Sequence, residues 1–365
     1  MLPSLSRFPL RRIPDTGDHA GADDLRIRHE VFGEDRLREH GVSLAKSHRV
    51  ATRGISHHAV LGRVRRNYDL LKEAHASLLD VVSTGGVITP AAEWLVDNFY
   101  TAEQHVQQVM EDLPSGYYRQ LPKLAEGHLK SYPRVMAIAW AHIAHADSHF
   151  ARNTLTEFVN AYQTVTPLTV GELWALAIHL RILLIENATR VATRTAVSRD
   201  AREMADRMAE QLATQKVSQA DVNRTMETFP EHARLSFAVH LVRRIRGMRD
   251  VSADTMAQVQ DIVHATGHDT ESAAHEEHAR QAANNLTMQN IFTSLKRIAE
   301  HDWEEWFEGV SLADRILAET ALYRGLDGAS APILSSRSRC WAVRGEARSS
   351  CVKPRMAFIG VRISW

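Results

Sequence analysis

One run of residues limits the folds open to this chain more than any other: "ELWALAIHLRILLIENATRVATR", Glu172 to Arg194. It is helical in composition and apolar on nearly every side, so a helix formed here must be enclosed by neighbours instead of lying on a surface. Its start is sharply written. In "TVGE", Thr169 and Glu172 have the spacing of a capping box, in which each side chain satisfies a free backbone donor of the other. A chain of 365 residues with 44% apolar content can build the core that such a helix needs.

The flanking sequence supplies the neighbours. Leu61, Val64, Tyr68, Leu71, His75, Leu78 and Val82 recur at three- and four-residue steps and stop at Gly85 and Gly86, which predicts a helix ending there. Thr89 is placed to cap the next helix, and Pro90 sits at its first position, where a missing N–H does no harm. Trp94, Trp140 and Trp174 fall within helical patterns and read as core. Further amphipathic stretches follow, down to "NLTMQNIFTSLKRIAEHDWEEWFEGVSLADRILAE". Strand signals are almost absent, so the expected fold is all-α, a multi-helix bundle or array.

The ends differ from the body. Residues 1–24, rich in Pro, Arg, Gly and Asp, read as a flexible leader; 25–320 reads as the helical domain; 321–365 reads as an irregular tail with the character of an out-of-frame sequence. Both cysteines, Cys340 and Cys351, lie in that tail, so no disulfide framework is expected. Forty-four basic and forty-four acidic residues cancel, which argues against nucleic acid as a partner. The apolar runs fall short of the roughly 20 residues of a membrane helix, so no membrane span is expected and the cytoplasm is the inferred location.

Candidate chemistry is sparse, and each cluster has a plainer reading. His142, His145 and His149 share a helical face, but a seven-residue step is about 10 Å along the axis, too far for one ion to bridge. His264, His268, His275 and His278 lack a metalloprotease motif and read as a titrating surface, so no metal and no cofactor is expected. Glu172, His179 and Glu186 form a stripe at the same seven-residue spacing and cannot meet at one reacting atom, so they read as buried polar groups bonding between helices. Arg181, if buried, needs a carboxylate such as Glu93 or Asp97. No catalytic residue is assigned.

The connection "EDLPSGYYRQLPKLAEGHLKSYPRV", 111–135, carries residues that turn-making alone does not require. Tyr117, Tyr118, Arg119, Lys123, Tyr132 and Arg134 are candidates for contact with a glucan or a partner, with the phenols expected to point outward. Trp303 and Trp306, three apart on one helical face, are candidates for contact with a partner domain.

Several stretches in order, "ITPAAEWLVDNF", "EDLPSGYYRQLPKL", "YPRVMAIAWAHIAHADSHF", "FVNAYQTVTPLTVGELWALAIHLRILLIEN" and "NIFTSLKRIAEHDWEEWFEGVSLADRIL", resemble the N-terminal region of bacterial cyclic β-1,2-glucan synthases. The resemblance covers about Ile27 to Ala318. It implies a place at the inner face of the inner membrane, with the catalytic modules of a synthase that uses UDP-glucose as partners. The D-x-D and Q-x-x-R-W motifs of such a glucosyltransferase are not found, so this chain is not expected to transfer glucose alone. The resemblance implies a non-catalytic portion that docks on or organises the catalytic modules. The alternatives are an initiation domain presenting a tyrosine-linked primer, or a remnant of a truncated gene without function.

Overall fold

The computed structural model describes residues 30–51, 53–249 and 251–312. The 1–24 leader and the 321–365 tail, with both cysteines, lie outside the described residues. Within them, twelve helices account for nearly all regular structure. They are α1 (Glu34–Ser47), α2 (His57–Ser83), α3 (Pro90–Asp112), α4 (Ser115–Gln120), α5 (Arg134–His145), α6 (Arg152–Gln163), α7 (Val170–Ala213), α8 (Gln219–Glu227), α9 (Glu231–Arg246), α10 (Ala253–His264), α11 (Thr270–Glu300) and α12 (Trp303–Val310). Two short strands, β1 (Val50–Ala51) and β2 (Lys123–Leu124), pair antiparallel. The fold is all-α.

The enclosed helix is α7, and it is longer than its apolar stretch. Its 44 residues span about 66 Å at 1.5 Å per residue. Thr169 caps it as the sequence dictates, its side chain accepting from the Glu172 backbone while the Glu172 carboxylate accepts from the Thr169 N–H at 3.0 Å. From Leu173 to Ala192 nearly every residue is buried, because α2, α3, α5 and α11 pack around it.

Beyond Ala192 the helix becomes amphipathic, and a second core begins. The first cluster of buried side chains unites α1 to α6, the first half of α7, the C-terminal half of α11 and α12. The second gathers Ala201, Ala205, Ala209 and Leu212 of α7 with Val222 of α8, Phe237 and Leu241 of α9, Ile262 of α10 and Ala273 of α11. Both α7 and α11 run through the two, so the cores are joined by continuous helix. The intervening α7 segment carries Arg194 and Arg199.

Candidate functional site

The connection after α3 is a folded unit. Pro114 starts α4, and Pro122 leads into β2, which pairs with β1 so that Val50 faces Leu124 and Ala51 faces Lys123. The Ile55 N–H donates to the Ser131 carbonyl at 2.8 Å, fastening residues 53–55 to the end of the connection. Ser131 holds this place with a left-handed φ of 73°.

The tyrosines point inward, which corrects the expectation of outward phenols. Tyr117 is buried and its hydroxyl donates to the Gly171 carbonyl at 2.5 Å, in the first turn of α7. Tyr118 is buried and donates to the Ile55 carbonyl at 3.1 Å. Tyr132 is buried, and its oxygen accepts from Arg63 of α2 at 3.0 Å. The physical reason is that a large ring gains more from the core than from solvent, once a backbone carbonyl or a guanidinium meets its hydroxyl. Burial pushes the Tyr117 and Tyr118 phenols well above their ordinary range, so both stay protonated donors.

The basic residues divide between struts and surface. Lys123 is buried, and its ammonium donates to the carbonyls of Tyr118 at 2.6 Å and Leu121 at 2.5 Å while lying 4.6 Å from the Tyr118 ring centre. It ties the turn to itself. Arg134 opens α5 and forms a two-pronged bond with Glu172, at 2.7 and 2.6 Å, with both side chains buried. Only Arg119 of this group is exposed.

The stripe on α7 serves three separate purposes. Glu172 belongs to Arg134 and to the cap. Glu186 is gripped by Arg63 at 3.1 and 2.6 Å, with Arg190 a further 3.3 Å away. His179, fully buried, bonds through Nδ1 to the Ala175 carbonyl at 2.7 Å, and burial pulls its imidazole down to about 4. The expected partners of Arg181 are not the ones it has. Its Nε donates to His105 Nδ1 at 3.2 Å, and the nearby carboxylate acting on it is that of Asp112, because α3 presents its C-terminal half, not Glu93 or Asp97, to this part of α7.

The three histidines expected on one helical face do not share one, because α5 ends at His145 and His149 lies beyond the left-handed Asp147 and Ser148. His142 is fully buried with neither ring nitrogen hydrogen-bonded, His145 bonds to the Glu30 carbonyl and stacks on Phe32 at 3.8 Å, and His149 meets Arg297. Among the described residues no three His, Cys, Asp or Glu side chains are arranged to hold a metal ion. Trp306 is buried, donating to Thr156 at 3.0 Å, and Trp303 is half-buried with its indole N–H on the Ile298 carbonyl.

Two polar constellations escape a reading by spacing. Arg63 of α2 and His105 of α3 are partners to α7 that only the packing reveals. Between α5 and α6, Asp147 and Ser148 take left-handed φ values of 45° and 63°, held by Thr287, Asn187 and Ser294 from α11 and α7. Arg63, His105, Arg134, Glu172, Arg181 and Glu186 thus bond between helices, while Arg119 is exposed and His142 is unbonded.

The fold and these struts define a class: an all-α array organised on one long enclosed helix, with its polar residues bridging helices. No family model matches the chain. Among curated proteins it is similar to the cyclic beta-(1,2)-glucan synthase NdvB of Rhizobium meliloti (strain 1021), 36% identical over 302 residues. The match takes in 82% of this chain's own length and 11% of the length of that relative, so the chain spans about a tenth of it. No described helix is long and apolar enough to cross a membrane.

Proposed function

We propose that this chain is a non-catalytic helical module of a cyclic β-1,2-glucan synthase, which docks on or organises the catalytic modules of such an enzyme. The observation that supports it is the fate of the chemistry-bearing residues. Arg134 with Glu172 and Arg63 with Glu186 are closed buried pairs, and Tyr117, Tyr118 and Tyr132 bond inward. Breaking such a pair strands a buried charge, so these residues favour a fixed scaffold over a reaction centre. Arg119 and Trp303 keep exposed surface and are the contacts from the two candidate groups that a docked module would meet.

The test uses the purified 365-residue chain and a synthase lacking the matched segment. The expected result is association of the two proteins with no incorporation of labelled glucose from UDP-glucose by the chain alone. Incorporation by the chain alone would overturn the reading. Glucan found on Tyr117, Tyr118 or Tyr132 by peptide mass spectrometry would replace it with the primer role.

A further inference from the structure

Helix α1 is a strap pinned at both ends. Of its 14 residues only Leu37, Gly41 and Ala45 are buried, and it packs chiefly on α6, where a Cβ added to Gly41 would come within 2.9 Å of the Phe158 carbonyl oxygen. With so little apolar burial, the polar contacts at its ends carry much of its attachment. Ahead of the helix, the Phe32 N–H donates to the His145 carbonyl at 3.0 Å, and His145 Nδ1 bonds to the Glu30 carbonyl at 2.8 Å. Behind it, His48 Nδ1 meets the Tyr162 hydroxyl of α6 at 2.9 Å, just before β1 joins β2.

The two pins have opposite hydrogen-bond polarity. A carbonyl only accepts, so His145 Nδ1 carries a proton and keeps it when the ring becomes cationic. Tyr162 is fully buried, and among the described residues His48 Nδ1 is the one acceptor that its hydroxyl meets. The other group bearing on that hydroxyl is the Arg134 guanidinium, which has donors only. The phenol therefore donates to His48 Nδ1, and the proton of neutral His48 sits on Nε2. A second proton on the ring would occupy Nδ1, leaving the buried phenol proton without an acceptor and two cationic donors aimed at one oxygen. The neighbours oppose that proton as well: Arg134 of α5, His128 of the connection and His40 of α1 repel a cation at His48, Arg49 turns to the Lys46 carbonyl, and no carboxylate among the described residues offsets them. Burial, then these neighbours, pull the His48 imidazole down to about 4.

We infer that α1 and β1 form a strap with an acid-released catch at its C-terminal end, the Tyr162 hydroxyl on His48 Nδ1, and that protonation of His48 lifts this end from α6 while the rest of the fold stays closed. The strap remains tethered at His145, whose bond to Glu30 has a donor in either charge state. Lifting removes β1 from β2 and the Arg49 carbonyl from the Ala125 N–H, so the same event uncovers one side of the 111–135 connection. It also opens Tyr162, which stands beside the buried Arg134–Glu172 pair. The inference is independent of the docking role and survives its failure.

The experiment is hydrogen exchange of the full chain, read by mass spectrometry and corrected for the pH dependence of intrinsic exchange. Above pH 6.5 the catch is fully engaged, and its contribution is lost as pH falls from 6.5 towards 4. Opening of residues 34–51 should therefore rise by about thirtyfold between pH 7.5 and pH 5, with a far smaller change in residues 173–192 of α7. His48→Asn, whose amide oxygen can stand where Nδ1 stands and does not titrate, should remove most of that rise. Nitrogen-15 NMR of the unmodified chain at pH 7.5, with imidazole signals assigned through the backbone, should find the His48 proton on Nε2 and needs no variant to fold. A proton on Nδ1, a rise that His48→Asn leaves unchanged, or an equal rise in α7 would overturn the proposal.

Discussion

At the scale of single residues, burial of titratable groups sets how this protein responds to acid. Burial pulls the imidazoles of His48, His105, His142, His179 and His232 down to about 4 from 6.5. Above pH 6.5 they are neutral in both states and their full contribution to stability is present. As pH falls from 6.5 towards 4, the unfolded chain takes up protons that the folded chain refuses, which lowers stability by up to about 1.4 kcal/mol per pH unit for each histidine. Urea midpoints should therefore drop steadily between pH 7 and pH 5. His142→Leu should flatten that slope and cost less than about 1.5 kcal/mol at pH 7, because neither ring nitrogen has a bond to lose. An unchanged slope would show that His142 does not belong to the acid response. Arg134→Met leaves Glu172 buried beside its cap and should cost about 3 to 5 kcal/mol. Adding Glu172→Gln removes the stranded charge while keeping an acceptor for the Thr169 amide, so the double variant should be more stable than the sum of the singles. Strict additivity in that cycle would mean the two side chains are not energetically coupled.

At the scale of elements, the packing of the 111–135 connection depends on a close backbone approach. A Cβ added to Gly54 would lie 2.2 Å from the Ser131 carbonyl oxygen and 2.5 Å from Lys123 Cγ. Gly54→Ala must therefore push residues 53–55 away from the connection, at a cost of about 1 to 3 kcal/mol, and with it the Ile55 carbonyl that receives the Tyr118 hydroxyl. Faster proteolysis within 111–135 together with a lower unfolding midpoint is the expected outcome, and wild-type behaviour in both would show that the approach is not needed. Helix starts were legible because their signals are local: Thr169 finds Glu172 three residues on, and Pro90 marks its own position. The interior of the connection was not, since the acceptors of Tyr117 and Tyr118 lie 54 and 63 residues away, at positions no periodicity marks. A still longer separation, 123 residues, hid Arg63 as the partner of Glu186. Thr89 shows a further limit, because its place as a cap is readable but the fact that its hydroxyl caps nothing is not.

At the scale of the whole molecule, one long helix couples two cores that differ in how they are closed. The all-α class followed from the absence of strand patterns and from α7 being apolar all round. The division into two cores did not, because α7 passes through both without a break and no Gly or Pro marks the junction. What marks it is a change from all-round to one-sided burial after Ala192, visible only once neighbours are in place. Helices α8 and α9 rest on the C-terminal half of α7 and α10 packs on α8, α9 and α11, and their core holds twenty buried apolar side chains among the described residues, fewer than the first. Such a unit should open locally below the cost of global unfolding. Leu241→Ala, at a fully buried position of α9 against α7, should cost about 2 to 5 kcal/mol in that unit. Hydrogen exchange followed by mass spectrometry should then show lost protection in α8, α9, α10 and the last turns of α7. Protection in α2, α3, α5 and the first half of α7 should persist, since those amides are enclosed by the other core. Uniform loss across both sets would show instead that the continuous α7 and α11 transmit the damage and that the two cores unfold as one cooperative body.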